Sequence, residues 1–296
     1  MPLTLDLHTF DPGLPAESPE AFAESVARLI EESWDSGADI AVLPEFTWMG
    51  LEPLLPPQDT SFHAVAELFW GRLYPSLLRR LTRPGKAAVL GTCPFFDVTH
   101  GTLHNRAPII AGGRALHQDK LHLTPWEAAF TPGDALQLWE FGGLRIAVII
   151  CLDIEIPELS ARLRGCEVDL ILCPSATETV LGVERVDRCA SARAVELGCH
   201  VGVCHLTGQA RAELIDENVG RLAHYLPSQS VFRDAPRCTE TAVYTAGCHR
   251  LRITLDPCAL ALMRRMRAET NPALLGREMA GNARVIRVES APSSPP

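Results

Sequence analysis

The stretch Arg145-Ile146-Ala147-Val148-Ile149-Ile150-Cys151-Leu152-Asp153 restricts the fold more than any other part of the chain. Every residue from 146 to 150 is apolar and most are β-branched. Such a run describes a strand covered on both faces, as in α/β proteins whose sheets lie beneath helices. Ligands in that class gather where the strands end. Cys151 stands at such an end, and Pro157 marks a helix start shortly after it. The positive end of that helix is expected to favour a thiolate, the nucleophilic form of cysteine. Taken alone, the thiol reads equally as a small core residue, and for any one of ten cysteines that is the default.

Apolar runs and helical patterns alternate along the rest of the chain. Ser18 and Pro19 supply an N-cap and a first-turn proline ahead of Phe22, Val26, Leu29, Ile30 and Trp34 at helical spacing. Residues 38–45 read as a buried strand running through Pro44 into a carboxylate, Glu45. A helix over 62–81 and a strand over 87–95 follow, then a hairpin of 103–110 with 114–121 through Gly112-Gly113. Another strand covers 135–141. After Cys151, helices at 157–165 and 183–197 alternate with strands at 168–174 and 200–206. Short strands at 220–226, 241–244 and 251–255 precede a helix that Asp256-Pro257 caps and that runs to about Glu269. The pattern describes one α/β domain over residues 1–289, with a Ser- and Pro-rich tail over 290–296 expected to be disordered.

Composition narrows the function. A net charge of −9 and the lack of any Lys/Arg cluster argue against a nucleic-acid surface. No apolar run approaches the roughly 20 residues of a membrane span. Met1-Pro2-Leu3-Thr4-Leu5-Asp6 lacks the basic region of a secretory signal. The ten cysteines form no CxxC pair, and reduced thiols in a cytoplasmic protein are expected. Of 27 Lys+Arg, only Lys86 and Lys120 are lysine. Where arginine supplies nearly all surface charge, a retained lysine is a candidate for work that needs a compact or titratable amine. Lys86 follows Pro84-Gly85 in a surface turn, whereas Lys120 ends a strand.

Glu45, Lys120 and Cys151 thus each close a buried element, and an acid, an amine and a thiol together suit acyl transfer. With Leu43-Pro44-Glu45, Asp119-Lys120-Leu121-His122-Leu123, Ile149-Ile150-Cys151-Leu152-Asp153, Glu155-Ile156-Pro157-Glu158 and Phe130-Thr131-Pro132-Gly133-Asp134, the chain resembles the nitrilase superfamily. Those enzymes are carbon–nitrogen hydrolases with a Glu-Lys-Cys triad. Asn105 and the helix segment Ala192-Arg193-Ala194-Val195-Glu196 also match, and the resemblance runs from about residue 18 to about 270 in the family's order. It implies a four-layer α-β-β-α sandwich, assembly into homo-oligomers, a small-molecule amide substrate, and neither metal nor organic cofactor. By position, Cys151 would be the nucleophile, Glu45 the general base, Lys120 the stabiliser of the oxyanion and Glu127 a supporting glutamate. The backbone N–H of Leu152 would be a second oxyanion donor.

The departures from the family pattern sharpen the expectation. Nitrile-cleaving branches follow the cysteine with Trp-Glu, whereas this chain has Leu152-Asp153, which points to the amidase side. Glu155 stands where many relatives carry arginine; it could attract a cationic substrate or pair with an arginine such as Arg185. Trp48, Trp126, Thr177 and Glu178 are candidate pocket-wall residues. Hydrolysis of a small amide or N-carbamoyl compound through a thioester is therefore expected, with a nitrilase or a non-catalytic scaffold as alternatives. A zinc hydrolase lacks support, because His117 and His122 do not have HExxH spacing, and a serine hydrolase lacks its GxSxG elbow.

Overall fold

The computed structural model describes residues 2–209, 215 and 217–266. In chain order the strands are β1 (Leu3–His8), β2 (Ile40–Leu43), β3 (Ala87–Leu90), β4 (Cys93–Asp97), β5 (Thr102–Ala111), β6 (Arg114–Asp119), β7 (Leu138–Phe141) and β8 (Leu144–Val148). They continue with β9 (Leu170–Ser175), β10 (His200–His205), β11 (Gly208–Gln209), β12 (Glu217–Asn218), β13 (Leu222–Tyr225), β14 (Cys238–Glu240) and β15 (Arg250–Leu255). The α-helices are α1 (Pro19–Asp35), α2 (Phe62–Glu67), α3 (Tyr74–Leu81), α4 (Pro157–Leu163), α5 (Val180–Leu197) and α6 (Pro257–Arg265). One sheet has the order β15-β1-β2-β3-β5-β4, with β6 also paired to β5. The other has the order β14-β13-β10-β9-β8-β7, and β11 pairs with β12 alone.

Period-two alternation builds the layers. On β2, Ile40 and Val42 join the core between the sheets, while Ala41 and Leu43 pack with Phe22, Val26, Ile30 and Trp34 of α1. On the far side, Val186, Ala190, Ala194 and Leu197 of α5 cover the second sheet. The result is the expected four-layer α-β-β-α sandwich. Where β1 crosses β10 the sheets touch at Gly202: a Cβ there would lie 3.2 Å from Leu7 and 3.3 Å from Leu5.

Local chemistry explains most boundaries. Ser18 Oγ accepts from Ala21 N at 3.1 Å and starts α1; Thr179 does the same for α5, accepting from Gly182 N at 3.2 Å. Both expected glycine hairpins form: Ala111 faces Arg114 around Gly112-Gly113, and Phe141 faces Leu144 around Gly142-Gly143. All four glycines have positive φ, as type I′ turns require. The helical pattern over 62–81 is continuous, but residues 68–73 widen to a π-helix just ahead of Pro75. That widening relieves the clash a proline imposes on the preceding turn.

Four differences from the sequence reading stand out. The run 87–95 is two strands, because the chain breaks at Gly91, whose absent Cβ would lie 2.3 Å from Pro44 O. β1 was not foreseen, yet it forms the junction between β15 and β2. Residues 241–244 do not form a strand; β13 pairs instead with Cys238–Glu240. Lys86 is more than a turn residue, for its ammonium donates to Ala38 O at 2.6 Å and contacts Asp39 Oδ1 at 3.2 Å. The expected tail over 290–296, the end of the domain at 289 and the helix beyond Met266 lie outside the described residues.

Gly202→Val is expected to lower the unfolding free energy by about 1–3 kcal/mol through overpacking against Leu5 and Leu7. Urea denaturation measures it, and an unchanged midpoint would mean that the sheets are not in contact there.

Candidate active site

Each of the three residues singled out in the sequence sits just past the end of a strand, and the fold brings the ends together. Glu45 lies two residues beyond β2, Lys120 directly follows β6, and Cys151 opens a 3-10 turn, Cys151–Glu155, beyond β8. Phe46 and Cys151 have φ of 58° and 47°. Bulky residues adopt that left-handed region only where their surroundings enforce it, and such positions cluster at functional sites.

Lys120 Nζ donates to Glu45 Oε1 at 2.8 Å and to Glu127 Oε2 at 2.6 Å. The side chains of Lys120 and Glu45 are each 1% exposed, so the ammonium is enclosed between two carboxylates. Asn105 Nδ2 bridges the same pair, donating to Glu45 Oε1 at 2.9 Å and Glu127 Oε1 at 3.1 Å. Glu127 is held from its own backbone: Thr124 and Glu127 form a reciprocal capping box on the turn Pro125–Glu127, with Thr124 N donating to Glu127 Oε2 at 2.9 Å. The segment after β9 completes the ring. Ala176 N donates to Glu45 Oε2 at 3.1 Å, and Ala176 O accepts from Cys151 Sγ at 3.5 Å.

Burial dominates the electrostatics. It pushes the Glu45 carboxyl up to about 7, against the opposing pull of the Lys120 ammonium. Burial alone would lower Lys120, but the carboxylates of Glu45 and Glu127 outweigh it and hold the ammonium firmly protonated. The Cys151 thiol is pushed well above its ordinary value, first by burial and then by the Glu45 charge. This corrects the expectation of a thiolate stabilised by a helix. α4 begins only at Pro157, a 3-10 turn intervenes, and Cys151 rests as a thiol beside a carboxylate able to take its proton.

The cluster opens into a cavity of about 430 Å³. Leu152, Trp126, Glu155, Thr177 and Glu178 line it, as does Glu127. Glu155 pairs with Arg185, Nε to Oε2 at 3.2 Å, and both border the cavity. Trp48 does not belong there. It is fully buried on the opposite side, its indole donating to Leu90 O at 2.8 Å and its ring packed on Phe22 and Phe69. The left-handed turn at Phe46 carries the chain away from the cavity before Trp48, whereas Phe46 itself borders it.

Sequence reasoning gave no role to two further residues. Ala176 acts through its backbone, which no side-chain pattern shows. Asp153 ties the cysteine turn to the lysine loop, accepting from Leu121 N at 3.0 Å, His122 N at 2.7 Å and His122 Nδ1 at 2.9 Å. Its carboxylate in the Cys-Leu-Asp run was the available signal. Asp153→Ala is expected to destabilise the fold by about 2–3 kcal/mol, since it strands two backbone donors, while Asp153→Asn should lose less. Equal denaturation midpoints for the parent and the alanine variant would remove Asp153 as the tie.

The geometry agrees with comparisons to known proteins. The profile of the carbon-nitrogen hydrolase family matches residues 10–247. The probable hydrolase YhcX of Bacillus subtilis (strain 168) is 28% identical over 218 residues, covering 72% of this chain and 42% of that protein. An (R)-stereoselective amidase from Pseudomonas sp is 36% identical over 111 residues, covering 36% of this chain and 39% of that protein. The chain therefore spans about two fifths of the length of either relative. Among solved structures, Saccharomyces cerevisiae Nit3, a member of branch 10 of the nitrilase superfamily, superposes with a TM-score of 0.66 at 19% identity, over 89% of this chain and 93% of that one. With a family profile spanning most of its length and the same sandwich beneath it, the chain belongs to the carbon-nitrogen hydrolase family.

Proposed function

We propose that the protein is a cysteine-dependent amidase that cleaves the C–N bond of a small linear amide or N-carbamoyl compound through a thioester. What carries this assignment is the convergence of Glu45, Lys120 and Glu127 on the mouth of the turn that holds Cys151, at the floor of one cavity. Glu45 takes the thiol proton as Cys151 Sγ attacks the carbonyl carbon. Two of the three Lys120 N–H groups are committed to carboxylates, and the third faces the developing oxyanion together with Leu152 N–H. Glu45 then passes its proton to the departing nitrogen, and ammonia or an amine leaves. Water follows the same course: Glu45 accepts its proton, hydroxide adds to the thioester, and the acid departs with return of the proton to sulfur.

The elevated Glu45 value suits this shuttle, because a base near neutrality both takes and returns a proton readily. Pairing the thiol with a carboxylate also explains how a cysteine with a raised pKa can act as a nucleophile: the proton moves as attack occurs. The Leu152-Asp153 pair after the cysteine favours amides over nitriles.

Cys151→Ala is expected to abolish ammonia release from amides, and Glu45→Gln to lower kcat by about 10²–10⁴-fold. Retained turnover in the alanine variant would remove the mechanism, and a preference for nitriles would reverse the branch. Since the base must be ionised and burial raises its pKa, kcat/KM is expected to rise with pH through an apparent value of about 7 in the free enzyme, falling tenfold per unit below it. An acid limb centred at the ordinary carboxylate value would show that Glu45 is not the base.

A further inference from the structure

Glu155 and Glu178 border the same cavity as Cys151, and the proposed amidase reaction gives neither a role. Cavity-lining charges are unequal. Among the described residues, four carboxylates, Glu45, Glu127, Glu155 and Glu178, line the cavity with two cations, Lys120 and Arg185. Lys120 is consumed by the deep pair Glu45 and Glu127, leaving the outer wall with two acids and one base. That base neutralises little. Arg185 meets Glu155 through Nε alone, and its side chain is 64% exposed against 18% for Glu155. Such a pair is weak and readily exchanged, whereas the acid it touches is largely withdrawn from water. Among the described residues, Glu155 Oε1 accepts no hydrogen bond.

Position adds direction. Cys151 and Glu155 are the first and last residues of one 3-10 turn, which at about 2 Å per residue separates them by roughly 8 Å along its axis. A group recognised by Glu155 therefore lies a few methylenes from a carbonyl in contact with the sulfur. Phe46, Phe62 and Phe130 line the same cavity with apolar rings, and Trp126, also at its wall, is exposed. Carboxylates with aromatic faces are the surroundings that hold an aliphatic ammonium.

We propose that the substrate is a linear amide or carbamoyl compound bearing an aliphatic cation, held by Glu155 with Glu178 after Arg185 swings aside. This inference rests on the amidase reading, and it names the charge class that reading leaves open.

The test compares kcat/KM for 5-aminopentanamide, hexanamide and adipamic acid, which present a cation, a methyl group and an anion on similar chains, by ammonia release. At low ionic strength the cationic amide is expected to exceed hexanamide by about tenfold or more, with the anion slowest, and the margin should shrink with added salt. Glu155→Gln should bring the cation-to-methyl ratio towards one, while Arg185→Gln, which frees the carboxylate, should raise it. Opposite shifts from the two partners of one ion pair are not the result of a merely structural contact. If hexanamide or the anionic amide is cleaved as fast as the cationic one, the charge class is overturned and the amidase reading stands. If none of the three is cleaved while native-fold enzyme releases ammonia from other amides or N-carbamoyl compounds in a Cys151-dependent way, the charge class is overturned and the amidase reading stands. If it releases none from any of them, the amidase reading falls, and the charge class with it.

Discussion

A buried ammonium cannot stand alone in a protein interior, and this constraint organises the site. Lys120 is enclosed as completely as a core leucine, so its charge requires the two carboxylates that flank it. Those carboxylates in turn require donors, which arrive from Asn105 on β5, the capped turn of Thr124 and the backbone after β9. Each of these partners comes from a different element of the sandwich. Removing any one leaves a buried charge or acceptor uncompensated, a loss far larger than the net worth of the bond itself. The same closed arrangement lets Glu45 titrate near neutrality, because burial and the ammonium pull its proton affinity in opposite directions.

Much of this was legible in the amino-acid order. The strands that lead to Glu45 and Cys151 are readable because each is a run of apolar residues met by one reactive group, whereas β6, ahead of Lys120, is mostly polar. The scarcity of lysine made Lys120 conspicuous before any geometry was known. Helices α1 and α5 announced themselves by periodicity, and α1 by its cap as well.

What escaped had physical reasons. β1 alternates Leu3, Leu5 and Leu7 with Thr4, Asp6 and His8, a pattern that resembles an exposed edge. Yet Asp6 is fully buried against Arg252, Nε to Oδ1 at 2.7 Å, and His8 is buried on Ser33 at 2.8 Å, through partners 246 and 25 residues away. Long-range partners of this kind leave no local trace. Trp48 was misplaced because proximity to Glu45 in sequence says nothing of direction: a left-handed residue between them turns the indole to the helix side of the sheet. The break at Gly91 likewise depends on a backbone atom of Pro44 arriving from another strand.

The scarcity of lysine also has a practical edge. Lys120 is sealed inside, and the Lys86 ammonium is occupied by Ala38 O and Asp39. Acylating reagents that target side-chain amines therefore meet a molecule with almost nothing to offer them, although its surface is rich in guanidinium groups. Amine labelling of either lysine in the folded protein is therefore slow, and its onset would report that the sandwich had opened.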